Sequence, residues 1–343
     1  MSSPADAHHV VVSRSVHPWF RYFCTAPPQN VHCVSDRADD RDRLEARLLR
    51  SGARTVVFHS SHVSLPRDID IAAALRRRGI RVVAQNPECA ALGLDKVAMR
   101  KFLRELSVPV PPGPPARPGA APAGRWVIKR RYGTEGDGMR LVDGPGPVEP
   151  GADEYAERFV DGREYSVLAC ADGTRVATLP IVDKGRSRTD LLPPFRRPRV
   201  CPAPDLDPRL RARMLEITEA IVAASACTGW IEVEFVVGDA AEPLVLEINP
   251  RLAGTVRVGA MAAGVRVFDL PVDPDARGRL AARSLAVEVP WTGPPVLEPQ
   301  RCTFATSRLT VSGADLREIS ERLAALGLVL GAGPDGLPEI TRA

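Results

Sequence analysis

Four polar side chains lie where a chain ordinarily buries apolar ones. Residues 230–237 and 244–251 are runs of β-branched and apolar residues, and the turn-rich stretch 238–243 between them predicts a β-hairpin. Glu232, Glu234, Glu247 and Asn249 interrupt those runs. An ionised carboxylate is costly to desolvate unless a cation or hydrogen bonds meet it, so the hairpin is expected to hold something positive. In an antiparallel pair Glu234 and Glu247 fall on neighbouring strands, with Asn249 two residues on and on the same face. Two carboxylates and an amide oxygen suit Mg²⁺, which takes few protein carboxylates and completes its shell with water and phosphate.

Phosphate needs fixed positive charge, and here lysine is scarce. Of 46 Lys and Arg residues only Lys96, Lys101, Lys129 and Lys184 are lysine. In so arginine-rich a chain, lysine is expected to persist where a compact ammonium fits and a planar guanidinium fork does not, as in a tight phosphate pocket. Lys129 ends the apolar run 126–129, and Gly133, Gly136 and Gly138 follow it. Glycines so spaced let backbone N–H groups approach phosphate oxygens, although a plain hairpin has the same composition. Glu135 and Asp137, between the glycines, suit phosphate only if they point outward or toward a metal. Lys96 follows Asp95 at the start of a helical pattern whose Val97, Met99, Phe102, Leu103 and Leu106 are expected to face inward; a solvated surface lysine reads the same way.

The elements that must position these groups are legible around them. Apolar runs at 9–13, 30–34, 55–59 and 81–84 alternate with helical patterns at 44–49 and 69–78, which predicts a Rossmann-like parallel layer over residues 1–93. No Gly-x-Gly-x-x-Gly turn follows the first strand, so dinucleotide binding is not expected there. Residues 111–124 form a Pro/Gly/Ala linker, and Leu210, Met214, Ile217 and Ile221 recur at helical spacing after Pro208. Toward the end, a strand at 302–305 and a helix with Leu316, Ile319 and Leu323 predict a small αβ unit that carries no recognised chemistry. Seven cysteines without Cys-x-x-Cys spacing suggest neither a disulfide framework nor zinc. The net charge of +4, spread over dispersed arginines, gives little support to nucleic-acid binding. No apolar run is long enough for a bilayer and none resembles a signal peptide, so a cytoplasmic protein without a membrane partner is expected.

Taken in order, four segments resemble the ATP-grasp superfamily, which includes biotin carboxylase, carbamoyl phosphate synthetase and D-alanyl-D-alanine ligase. They are the Asp95-Lys96 helix entry, the Lys129 strand with its glycine loop, residues 155–167, and the Glu-Ile-Asn-Pro-Arg strand end at 247–251. The resemblance implies an α/β (α+β) architecture: a Rossmann-like domain (1–93), a two-subdomain ATP-grasp unit (94–290, lid about 125–165) and a C-terminal unit (291–343). It implies that Lys96 and Lys129 meet ATP phosphates under Gly133, Gly136 and Gly138. Glu157, Phe159 and Val160 would form the adenine hinge, and Glu164, seven residues beyond Glu157, would bind ribose. Glu234, Glu247 and Asn249 would hold two Mg²⁺, for which Mn²⁺ can substitute, and Arg251 would stabilise an oxyanion. Lys184 or Arg186 would face the γ-phosphate or a carboxylate, although a solvated basic loop explains those two equally well, as an exposed strand explains 155–167.

The activity so implied is ATP-dependent ligation of a small carboxylate to an amine through an acyl phosphate, on amino-acid-like substrates of specialised biosynthesis, with a homodimer compatible. The segment after Asn249 departs from D-alanyl-D-alanine ligases, which disfavours that particular activity. Modification of a peptide or protein, activation of bicarbonate, and ATP binding without catalysis are the alternative functions.

Overall fold

The computed structural model describes residues 9–13, 31–35, 41–114, 124–133, 136, 138–144, 148–173, 175–191, 196–267, 270, 277–298, 300–304, 308–333 and 338–342. Glu135, Asp137 and most of the Pro/Gly/Ala linker lie outside them. Four strands open the chain: His9–Ser13 (β1), Val31–Ser35 (β2), Thr55–His59 (β3) and Arg81–Val83 (β4). They pair in parallel in the order β2-β1-β3-β4. Helices Arg41–Arg50 (α1) and Leu65–Arg77 (α2) precede β3 and β4. Their Leu44, Leu48, Ile71 and Leu75 pack on Val10, Val12, Val56 and Phe58.

Two short helices lead out of this layer, Pro87–Leu94 (α3) and Lys96–Glu105 (α4). The break between them is set by Asp95, whose carboxylate accepts from the backbone N–H groups of Val97 (2.9 Å) and Ala98 (3.2 Å) and so caps α4. Next, Arg125–Arg130 (β5), Arg140–Asp143 (β6) and Glu154–Arg158 (β7) form an antiparallel sheet in the order β6-β5-β7.

The rest of the chain builds an eleven-stranded sheet. Its strands are Arg163–Asp172 (β8), Val176–Thr178 (β9), Val182–Arg186 (β10), Arg199–Cys201 (β11), Thr228–Val237 (β12), Pro243–Asn249 (β13), Gly278–Arg279 (β14), Leu285–Pro290 (β15), Leu297–Glu298 (β16), Arg301–Phe304 (β17) and Arg308–Gly313 (β18). The main path runs β13-β12-β8-β10-β11-β15-β18-β17-β16, with β9 on β8 and β14 on β9. Helices Pro208–Ala224 (α5), Val256–Ala263 (α6) and Leu316–Ala324 (α7) complete it, followed by the pair Leu328–Ala332 (β19) and Pro338–Arg342 (β20). Mixed helix and strand content of this kind is the α+β class expected.

Strand β12 shows how the sheet sorts its side chains. Ile231, Val233 and Phe235 point into a core with Met99 and Leu103 of α4 and Met214, Ile217 and Ile221 of α5. The alternate residue Trp230 packs on the other face with Val256 and Ala260 of α6 and with Val11 and Val57 of the N-terminal sheet. Glu232 and Glu234 continue that second face. One face of the strand is thus oily along its length, and the other carries two carboxylates between Trp230 and Val236. Cys89, Cys170, Cys201 and Cys227 are buried free thiols. Among the described residues no helix is long and apolar enough to cross a membrane.

Candidate active site

The register of β12 against β13 places Glu234 opposite Glu247 and Glu232 opposite Asn249. Between Glu234 and Phe235 the register slips: Phe235 faces Val245, leaving Leu246 as an extra residue. A bulge reverses which face the following side chains take. Without it Val245, Glu247 and Asn249 would share one face. With it, Val245 joins the apolar core while Glu247 and Asn249 turn toward Glu232 and Glu234. Arg100 of α4 stabilises the bulge, donating to the carbonyls of Val245 (2.8 Å) and Leu246 (3.0 Å), and its guanidinium also pairs with Glu157. This arginine is 5% exposed.

Each phosphate-type lysine lies against a carboxylate. Lys96 Nζ is 2.6 Å from Glu247 and donates to the carbonyl of Gly133 at 2.7 Å. Asp95, having capped α4, also accepts from Arg131 (2.6 Å), and the Lys96 N–H donates to the Arg131 carbonyl (3.1 Å), so the Asp-Lys pair fastens the start of the glycine loop. Lys129 on β5 lies opposite Tyr155 and diagonal to Glu157, which is opposite Val127, and reaches Glu157 at 2.5 Å. Burial works against the Lys129 charge, but Glu157 overcomes it and raises the lysine above its ordinary range. Lys184 is buried, with Nζ 2.5 Å from Glu234. Burial opposes ionisation of Glu234 too, and Lys184 more than offsets this, lowering the carboxyl to about 2. Glu232 is held by the hydroxyls of Ser166 (2.5 Å) and Thr255 and by the amide of Asn249 (3.1 Å). Burial, then the charge of Glu234, raises its pKa.

These groups surround one cavity of about 270 Å³. Of the residues singled out from sequence, it is lined by Lys96, Lys129, Gly133, Gly136, Glu157, Phe159, Val160, Glu164, Glu232, Glu234, Glu247, Asn249 and Arg251. Three are placed otherwise. Lys184 sits behind Glu234, Gly138 is outside the lining, and Arg186 is exposed and pairs with Asp161 at 2.8 Å. The basic groups that line the cavity from the same region are Arg188, Arg197 and Arg199, which sequence reasoning passed over; Arg197 pairs with Glu164 at 2.6 Å. His62, on the turn after β3, is outside the lining but near enough that the positive charges of Arg251 and Lys96 add to burial in lowering its pKa. A lone histidine in a serine-rich turn carries no motif, so only the fold brings it here.

Helix α3 packs directly on the turn that carries Asn249 and Arg251. A Cβ added at Gly93 would lie 2.1 Å from Cδ of Pro250, a rigid ring that cannot swing aside. Gly93→Ala is therefore expected to cost about 1–3 kcal/mol in urea unfolding and to depress turnover by displacing the turn.

The donor set fits Mg²⁺: hard oxygens from Glu234, Glu247 and Asn249 on adjacent strands, open to the cavity. Among the described residues no group of three or more His, Cys, Asp or Glu is gathered to hold a metal alone, and Mg²⁺ takes such a partial set together with phosphate and water.

Fold and cavity first define a class, an α+β protein whose polar sheet face is set against two lysines and a glycine turn. Comparison with known proteins gives the family. Residues 94–255 match the ATP-grasp domain, and this part of the chain is an ATP-grasp domain. A D-alanine–D-alanine ligase of Janthinobacterium sp. (strain Marseille) is 28% identical over 246 residues, which is 63% of this chain and 77% of that protein. The carbamoyl phosphate synthase large chain of Thermoanaerobacter pseudethanolicus is 27% identical over 223 residues, 60% of this chain, and the match spans only 20% of that protein. Biotin carboxylase from Campylobacter jejuni shares the fold, with a TM-score of 0.69 at 14% identity over 99% of this chain and 93% of that one.

Proposed function

We propose that the chain uses Mg-ATP to activate a small carboxylate as an acyl phosphate and transfers the acyl group to an amine, releasing ADP and phosphate. The observation that carries this reading is the single cavity in which Lys96 and Lys129 face Glu234, Glu247, Asn249 and Arg251. Mg-polyphosphate presents the same charges in the same order. Lys96 and Lys129 can pass from carboxylate to phosphate oxygens and Glu247 from Lys96 to a cation, while Arg100 stays with Glu157 and Lys184 with Glu234, so no buried charge loses its partner. Two Mg²⁺, or Mn²⁺ in their place, would supply charge neutralisation across the β- and γ-phosphates.

In this reading Glu157, Phe159 and Val160 hold the adenine and Glu164 the ribose. Gly133 and Gly136, which line the cavity, cover the phosphates and exclude the water that would hydrolyse an acyl phosphate, with Gly138 in the same loop but outside the lining. Arg251, whose Nη2 is 3.5 Å from Asn249 Oδ1, stands beside the metal set, where an oxyanion develops as the amine attacks. Lys184 acts from behind by keeping Glu234 ionised.

The test is ADP release from Mg-ATP over a panel of amino acids and small acids, bicarbonate included, with hydroxylamine as the amine. Release that depends on one acid and yields its hydroxamate is the expected result. ADP release indifferent to every acid, with no hydroxamate, overturns carboxylate activation.

A further inference from the structure

One cluster in the cavity wall belongs to neither the phosphate set nor the metal set. Glu288 on β15 is fully buried and is shared by three guanidiniums: Arg199 of β11 (3.0 Å), Arg257 of α6 (2.9 Å) and Arg308 of β18 (2.7 Å). Thr310 donates its hydroxyl to the same carboxylate at 3.0 Å. Three guanidiniums thus converge on this one carboxylate, which fixes where their forks point.

The cluster opens on the cavity. Arg199 lines it, and so does Gly254. A Cβ at Gly254 would stand 3.3 Å from Arg199 Nη1 and 3.7 Å from Arg257 Nη2, so the glycine leaves two guanidinium edges uncovered by any side chain of its own. Planar forks whose orientation is fixed by a buried carboxylate suit a ligand that presents two oxygens at once, as a carboxylate does, and in the ligase reading the phosphates already have Lys96 and Lys129.

We propose that Arg199 and Arg257, held by Glu288, bind a carboxylate of the substrate pair other than the one that is phosphorylated. That group is either the second carboxylate of a dicarboxylic acid or the α-carboxylate of an amino-acid acceptor. The inference rests on the ligase reading and narrows its substrates to pairs that carry a spare carboxylate. Glu288 acts only through the arginines and is a positioning residue.

The test uses calorimetry on the protein saturated with Mg-ADP, comparing glutarate with its monoamide, succinate with its monoamide, and L-alanine and L-glutamate with their α-amides. At least one acid is expected to bind about ten-fold or more tightly than its amide, and the pair that shows it identifies which substrate supplies the carboxylate. Arg199→Gln, which leaves Glu288 with Arg257 and Arg308, is expected to erase that preference with ADP affinity unchanged. Gly254→Ala keeps every charge but puts a methyl group over both guanidiniums, and is expected to act in the same direction should the first variant fold poorly. Equal affinity for acid and amide throughout the panel overturns the proposal, as does an Arg199→Gln protein that loses ADP as severely as the acid. Failure of the ligase reading looks different: the acid preference persists, but Mg-ATP gives no hydroxamate.

Discussion

Glu247→Gln is expected to lower kcat by about 10²–10³-fold or more while the protein remains folded. Glu247 faces Glu234 across the strand pair and touches Lys96 at 2.6 Å, and its side chain is only partly buried. The substitution keeps size and hydrogen-bonding capacity but removes the charge that would meet a cation. Packing has little reason to change, because the adjacent Val245 and Ile248 lie in the core and are untouched. A neutral amide cannot balance a dication against two phosphates, and the barrier to phosphoryl transfer rises. Thermal unfolding and steady-state ADP release on the same preparation separate the two effects. Near-wild-type turnover with an unchanged melting curve would remove Glu247 from the metal set.

The strands that carry the site were legible because their patterns are local. Alternation of Ile231, Val233 and Phe235 with polar residues marks a half-buried strand, and carboxylates on its other face mark a charge to be met. The parallel N-terminal layer was equally plain, since β-branched runs and helical patterns alternate there. What stayed hidden depends on contacts between distant segments. The bulge at Leu246 has no glycine or proline to announce it, yet it decides that Val245 goes inward while Glu247 faces the cavity. Arg100, which holds that bulge, is one arginine among 42 to any reading of the sequence, and only its reach to Val245, Leu246 and Glu157 distinguishes it. The scarcity of lysine was informative for the same reason. Lys96, Lys129 and Lys184 each occupy a tight slot beside a carboxylate, whereas Lys101 is exposed and pairs with its helix neighbour Glu105 at 3.7 Å. The C-terminal strands offered no recognisable chemistry. In the fold β15 and β18 extend the main sheet, and from there Glu288, paired with Arg308, holds Arg199 of the cavity wall.

Glu288→Leu is expected to destabilise the protein by about 3–5 kcal/mol at neutral pH. The reason is not the worth of the ion pairs as such, since desolvating four charged groups offsets much of their attraction. Removal of the carboxylate that Arg199, Arg257 and Arg308 share leaves buried guanidiniums that repel one another, and takes away the acceptor for Thr310 as well. The sign with pH follows from linkage. Burial alone would raise the Glu288 pKa, but Arg257, Arg308 and Arg199 together carry it well below the ordinary 4.5 in the folded state. A carboxyl depressed on folding contributes its full stability above the unfolded value and loses it as pH falls toward the folded one. The difference between wild type and Glu288→Leu should therefore be largest at about pH 7 and shrink progressively below about pH 4.5. Urea unfolding across that range measures it directly. A difference that stays constant on acidification would mean that Glu288 is not held ionised by the three arginines, and the rigid guanidinium wall beside the cavity would lose its foundation.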